Sequence, residues 1–368
     1  MTKLYIGLMS GTSMDGIDAA LVRFGDHRLD ILATRQFAYP QALREELLTA
    51  RNDAGLRFVT DVPALHEQVG LCFRDAALDL LSQSGRVADE IEAIGSHGQT
   101  LRHAPDASPP YSLQIGDADI IAKGTGIRTV ADFRRADLEL GGQGAPLAPA
   151  FHEWLFRQPG QTRVVLNIGG IANITVLQGD GGATSGYDTG PGNTLLDAWS
   201  RRITGAPFDE NGEWAASGNV DTELLSTLLA DPYFALPPPK STGFEHFNLD
   251  WLARFPVDRL EPRNVQATLS QLSADSIAVS IGRSAPDASE VLVCGGGVHN
   301  RDLMARLEKA LPGAATRTTE VGGLDPDWVE SAAFAWLAMR TCDGLPGNLP
   351  SVTGATQPAI LGAVHLPS

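Results

Sequence analysis

Residues 4–22 read LYIGLMSGTSMDGIDAALV, and the fold turns on what lies between the two apolar runs. Gly11 and Gly16, with four residues between them, match the first six positions of a phosphate-binding P-loop. The next two positions of that motif are a lysine and a Ser/Thr, which hold phosphate and magnesium. This chain has Ile17 and Asp18 there, and a further carboxylate, Asp15, inside the loop. A P-loop runs from a strand into a helix, whereas residues 4–8 and 17–24 both read as strands. The glycine stretch is therefore the enlarged turn of a β-hairpin. Thr12, Ser13 and the two glycines offer hydroxyls and accessible N–H groups to phosphate oxygens. Asp15 and Asp18 would repel bare phosphate but suit magnesium held through its water shell.

The same scheme returns at residues 162–178, TRVVLNIGGIANITVLQ, where two apolar runs flank Gly169 and Gly170. The two hairpins lie about 160 residues apart and helical and mixed segments follow each, a pattern of internal duplication. Helical periodicity marks residues 42–54, 61–84, 193–203, 221–230, 264–284, 301–310 and 328–342. Short apolar strands are expected at 91–100, 128–131 and 290–294, and an ordered Pro-rich loop at 231–248. Strands alternating with helices indicate an α/β architecture.

At 368 residues, 43% hydrophobic and 20% charged, the chain has the material for two globular domains. It contains no apolar run of the roughly 18–20 residues that a membrane helix needs. No basic segment leading into an apolar one marks a signal peptide, so a cytoplasmic location is expected. The three cysteines, Cys72, Cys294 and Cys342, are far apart and form no CxxC pair, which disfavours disulfides and a thiolate zinc site. A formal charge of −16 argues against nucleic acid and anionic membrane as partners. Such a chain would bind polyphosphate through backbone N–H groups, helix N-termini and magnesium, with few placed cations.

Three more stretches carry chemistry. SGYDTGPGNTLLDAW (185–199) sets Asp188 before Gly-Pro-Gly, with Asn193 opening a helix. Asp188 is either a turn cap or a carboxylate on a rigid loop, usable as a general base. Gly295, Gly296 and Gly297, after the strand at 290–294, lack dinucleotide-fingerprint spacing. They form a strand–helix turn that could also carry an adenine or ribose. The loops SHGQT (96–100) and DFRRADLELGGQGAPL (132–147) supply His97, Thr100, Arg134 and Gln143, a donor and acceptor set suited to a sugar. Each is also an ordinary structural residue, and Glu330, near a helix start, could serve only the helix dipole.

A glycine-turn hairpin, its repeat and a later Gly-Gly-Gly turn together resemble the actin-like superfamily of sugar kinases, Hsp70 and actin. GLMSGTSMDGID, SHGQT, DFR, GGQGAPL, LNIGGIANIT, YDTGPGN, PPPKSTG, GGGVHN and GNLPSVTGA, in that order, more closely resemble the anhydro-N-acetylmuramic acid kinase family. The resemblance implies an actin-like α/β fold, two ribonuclease-H-like domains enclosing a central cleft. The domains are expected at 1–137 plus 347–368 and at 138–346. It also implies ATP, Mg2+ and a small sugar as ligands, and an enzyme of peptidoglycan recycling that opens a 1,6-anhydro ring and phosphorylates O6. Carried over, Gly11, Thr12, Ser13, Met14, Asp15, Gly16, Ile17 and Asp18 match the ATP phosphate loop. Gly169, Gly170 and Asn173 match the second phosphate hairpin, Gly295, Gly296 and Gly297 the adenosine turn, and Asp188 the catalytic aspartate. Thr100, Arg134, Gln143 and Glu330 are expected at the sugar, Asp15 and Asp18 at magnesium. The chain departs from the pattern at Phe244, where a basic residue is expected. A homodimer is the expected association. Two other readings stand beside this one: an actin-like kinase for another amino sugar or hexose, and a non-enzymatic ATP-driven protein of the same fold.

Overall fold

A computed structural model of the chain describes residues 3–368 except Thr12 and Ala54. Its strands in chain order are β1 (Leu4–Ser10), β2 (Gly16–Gly25), β3 (Arg28–Ala38), β4 (Ile91–Ala104), β5 (Tyr111–Ile115) and β6 (Thr129–Ala131). They continue as β7 (Arg163–Ile168), β8 (Ile171–Leu177), β9 (Ser185–Pro191), β10 (Glu290–Cys294), β11 (Ala315–Thr318) and β12 (Ala363–His365). The chain divides into two units, Met1–Leu155 with Trp328–Ser368, and Phe156–Asp327.

In the first unit the sheet runs β12-β6-β4-β1-β2-β3, with β5 paired to β4. β1 is buried along its whole length, as a central strand covered on both faces must be. β1, β2 and β3 form an antiparallel meander, and β4 and β6 continue the sheet in parallel. The helix Pro63–Ser84 sends Val69, Phe73, Ala76, Ala77 and Leu80 into the core beneath. The helix Val329–Cys342 packs on β1 and β4 at backbone distance. A Cβ at Gly7 would overlap the Ser331 carbonyl, and one at Gly95 the Phe334 carbonyl. Those two glycines are required by this close approach rather than by turn geometry.

The second unit repeats the scheme with the order β11-β10-β7-β8-β9. β7, β8 and β9 form the antiparallel meander, and β10 and β11 add in parallel. Both units therefore have the ribonuclease-H-like strand order, and the expected actin-like α/β architecture describes the chain. The nearly all-round buried helix Pro262–Ser284 closes one core against Val164, Leu166, Ile174 and Tyr187. A second, aromatic cluster gathers Trp199, Tyr233, Phe234, Phe247 and Trp251.

The unit boundaries differ from those expected at 137/138 and 346/347. Residues 138–155 and 328–346 group with the first unit. The cause is packing: the Val329–Cys342 helix covers β1 and β4, and Trp154 meets Phe24, His27 and Trp336. Several elements also exceed the expectation. β3, β5, β9, β11 and β12 were not anticipated, and the loop after β6 contains the helices Arg135–Glu139 and Ala148–Phe156.

Candidate active site

In the first unit the β1–β2 turn is held from three sides. Ser10 donates to the Gly16 carbonyl and to Gln99 Oε1, both at 2.7 Å, while Gln99 Nε2 donates to the Gly11 carbonyl at 3.1 Å. Arg44 Nε donates to the Met14 carbonyl at 3.1 Å, and its Nη2 pairs with Asp15 at 2.6 Å. Met14 takes a left-handed backbone, φ 54°, and its side chain, like that of Ile17, lies fully in the core. These two residues thus leave only their backbone to a ligand. Gly16 sits opposite Ala38, where a Cβ would overlap the Phe37 carbonyl, whereas Gly11 has open space. Ser13 is exposed, and Thr12 lies outside the described residues. Asp18, on β2 opposite Met9, accepts from Gln36 Nε2 at 3.2 Å.

A second group in the same unit surrounds Arg134. Its Nη1 donates to the Gly144 carbonyl and its Nη2 to His97 Nε2, both at 2.9 Å. Burial, then the neighbouring guanidinium, holds the His97 imidazole down to about 3, so it accepts as the neutral ring. Burial also lowers Arg134 to about 10, against the pull of Glu330 and Asp137. Glu330, in the first turn of Val329–Cys342, is exposed as a residue, but desolvation of its carboxyl and then Asp18 raise it, with Arg134 opposing. Asp18, Arg134 and Glu330 thus form one electrostatic group. Thr100 Oγ1 accepts from Gln114 at 3.0 Å, and the Gln143 N–H donates to the Thr353 carbonyl at 2.7 Å. That loop is anchored by the buried Asp137 carboxylate, which accepts from Gly144 N–H, Asn348 Nδ2 and Thr353 Oγ1.

Two carboxylates of which one, Asp18, helps to raise the other, Glu330, suit a magnesium that keeps most of its waters. Asp15 fits less well, because Arg44 occupies it. Among the described residues no group of three or more His, Cys, Asp or Glu side chains is arranged as a metal cage.

In the second unit Asp188 lies on β9, a strand and not the loop expected. Register aligns Cys294, Asn167, Asn173 and Asp188 across four strands, so Asn167, Asn173 and Asp188 share one face of the sheet. Between Ala172 and Asn173 the register shifts and Thr189 becomes the extra residue of a bulge, a device that re-aims neighbouring side chains. Asn167 Oδ1 is buried without a hydrogen-bond partner among the described residues. Asn167 was not anticipated; its signal was its place two residues before the glycine turn.

The segment PPPKSTG clasps Asp188. Its backbone N–H donates to the Lys240 carbonyl at 3.2 Å, its carboxylate accepts from Thr242 N–H at 3.0 Å, and its carbonyl accepts from Tyr233 Oη at 2.6 Å. Burial raises the carboxyl to about 6; Glu245 adds to the rise, while Thr242 N–H and Lys240 oppose it. A carboxyl near that value is half-ionised at about pH 6 and mostly ionised at neutral pH, so it can take a proton and return it. Phe244, at the departure from the family pattern, is exposed and its carbonyl accepts from Asn248.

The glycine turns have distinct reasons. The carbonyls of Gly169 and Gly170 accept from the N–H groups of Gly192, Asn193 and Thr194 at 2.9–3.0 Å, capping the helix Thr194–Thr204. Gly295, at φ 80°, faces Asn167, and Gly297 faces Ile168, each with no room for a Cβ. Between them, a Cβ at Gly296 would meet nothing within 4 Å among the described residues.

Comparison with known proteins is consistent along the chain. Residues 3–367 match the family described as anhydro-N-acetylmuramic acid kinase. A protein of that name from Xanthomonas axonopodis pv. citri is 53% identical, covering 99% of this chain and 98% of its own. One from Coxiella burnetii is 49% identical, covering 98% and 97%. Among solved structures, the activator of the 2-hydroxyisocaproyl-CoA dehydratase from Clostridium difficile with bound ADPNP aligns over 94% of this chain and 96% of its own. Its TM-score is 0.48 at 13% identity.

Proposed function

This chain belongs to the anhydro-N-acetylmuramic acid kinase family, and on that premise we propose how its residues carry the reaction. The substrate is 1,6-anhydro-N-acetylmuramic acid, the phosphoryl donor is ATP, and the products are N-acetylmuramic acid 6-phosphate and ADP. The setting is peptidoglycan recycling. The observation that carries this reading is Asp188, raised to about 6 and held by the Thr242 N–H at 3.0 Å.

Asp188 takes a proton from water as the water oxygen bonds to C1, the base half of an inverting glycosidase. The C1–O6 bond breaks and its electron pair stays on O6. In a hydrolase a second carboxylic acid would protonate that oxygen. In this reaction O6 bonds instead to the γ-phosphorus of ATP, the bond from phosphorus to the bridging oxygen breaks, and ADP leaves. Phosphoryl transfer needs in-line placement and neutralisation of the γ-oxygens. Magnesium, when bound, would supply part of that neutralisation, held through waters by Asp18. In the first unit the β1–β2 turn receives phosphate, and Arg134, Glu330, Thr100 and Gln143 contact the sugar. In the second, the Gly169-Gly170 hairpin with Asn173 serves phosphate, and Gly295, Gly296 and Gly297 serve adenosine.

A coupled ADP-release assay in 18O-water tests this directly. The anhydro sugar should turn over, and the product should carry label in its C1 hydroxyl. N-acetylglucosamine and N-acetylmuramic acid, which have no 1,6-anhydro bridge to open, should give little ADP. Equal turnover of the open sugars, or an unlabelled C1 hydroxyl, refutes the ring-opening step.

A further inference from the structure

Behind β9, on the face away from Asp188, the second unit has a half-open surface recess of about 300 Å³, with Arg283 and Leu236 to Pro238 exposed at its rim. Tyr187, Lys240, Ser280, Arg283 and Ser284 line its polar side and Leu236 to Pro238 its apolar side. Alternation along the strand turns Tyr187 to this side and Asp188 to the other. Tyr187 Oη donates to the Ser280 carbonyl at 3.1 Å and lies 2.6 Å from Ser284 Oγ, so these groups form a satisfied floor.

The two cations are not satisfied in the same way. Lys240 Nζ donates to the Tyr233 carbonyl at 3.2 Å and sits over the Tyr233 ring, 4.5 Å from its centroid. Arg283 Nη1 donates to the Phe234 carbonyl at 2.9 Å. Each bond uses one donor, whereas an ammonium has three and a guanidinium five. Neither cation forms an ion pair among the described residues. In a chain with 44 acidic and 28 basic side chains, two cations face one recess that has no carboxylate in its lining, and the charge of Asp188 reaches Lys240 from the other side of β9. Their mutual repulsion helps to lower Lys240, after burial.

We propose that this recess is a binding site for a phosphate dianion, free or as the monoester of a small organic molecule, held by the spare donors of Lys240 and Arg283. The apolar wall and the volume leave room for an organic group beside the phosphate. The recess lies across β9 from the Asp188 carboxylate, and Lys240 is the residue that links the two, through its carbonyl bond to the Asp188 N–H and through its charge.

Lysine acetylation read by mass spectrometry tests the proposal in the full chain. Lys240 reports the site, and Lys3, Lys123 and Lys309 are internal references. Two ligands are compared, inorganic phosphate and glucose 6-phosphate, each against potassium chloride at equal ionic strength. At a ligand concentration of ten times Kd, only the unliganded fraction reacts and the Lys240 rate should fall about tenfold. The three reference lysines should be unaffected. Protection by glucose 6-phosphate alone assigns a monoester, and protection by both assigns the phosphate group. R283Q should abolish protection, as should S284D, which places a carboxylate in the recess. The proposal is overturned if neither ligand protects, if chloride protects equally, or if protection survives in both variants.

Discussion

Asp188 shows how much a single side chain owes to groups distant in sequence. Its carboxyl is buried, opposed by one N–H from Thr242 and pushed further by Glu245. As a base it must be ionised, so kcat/KM should fall about tenfold per pH unit below 6 and level off above 7. Asp188→Asn should bind ligands but lose roughly 10²- to 10⁴-fold in kcat, with no remaining limb near pH 6. Near-normal turnover would remove the residue from the mechanism. Stability carries the opposite sign. The folded value lies above the ordinary carboxylate value, so ionisation costs stability as pH rises from about 4 through 6. Asp188→Asn should therefore melt higher than the parent at pH 8, and the gap should close by pH 4. The type and position of this residue were legible in DTGPGN, but its support was not. Lys240, Thr242 and Glu245 lie more than 50 residues away, and no local pattern links them to β9.

The elements that the sequence concealed share a physical cause. β9 carries two glycines and a proline, so its pairing with β8 overrides weak local propensity. β3 is an edge strand with few buried positions, which blurs the alternation that marks a strand. The two glycine-turn hairpins, by contrast, have buried strands on both sides and could be read directly. The contact of Val329–Cys342 with β1 gives a prediction at this scale. Gly7→Ala places a methyl against the backbone of Ser331, which cannot yield as a side chain would. It should cost about 1–3 kcal/mol in denaturant unfolding and raise the KM for sugar, because Glu330 is in that helix's first turn. Gly313→Ala, which meets nothing within 4 Å, should stay within about 0.5 kcal/mol. Equal stability of the two variants would contradict the packing account.

For the whole chain, the repeated strand order gives physical form to a duplication visible in sequence only as two glycine turns. The unit boundaries were less legible, since no change of composition marks residues 155 or 327, and helix packing places them. The second unit is one continuous segment, Phe156–Asp327, whereas the first is assembled from both ends of the chain. A chain stopped at residue 327 should therefore hold residues 156–327 resistant to protease while residues 3–155 are cut. Resistance of both regions would show that Val329–Cys342 is dispensable. The close seat of that helix on Gly7 and Gly95 also sets an order in time. At about 5–20 residues per second, a ribosome needs roughly 10–40 s to go from residue 155 to residue 342, the end of that helix. Through that interval the earliest strands made wait for Val329–Cys342, and their apolar face is open to the cell's chaperones.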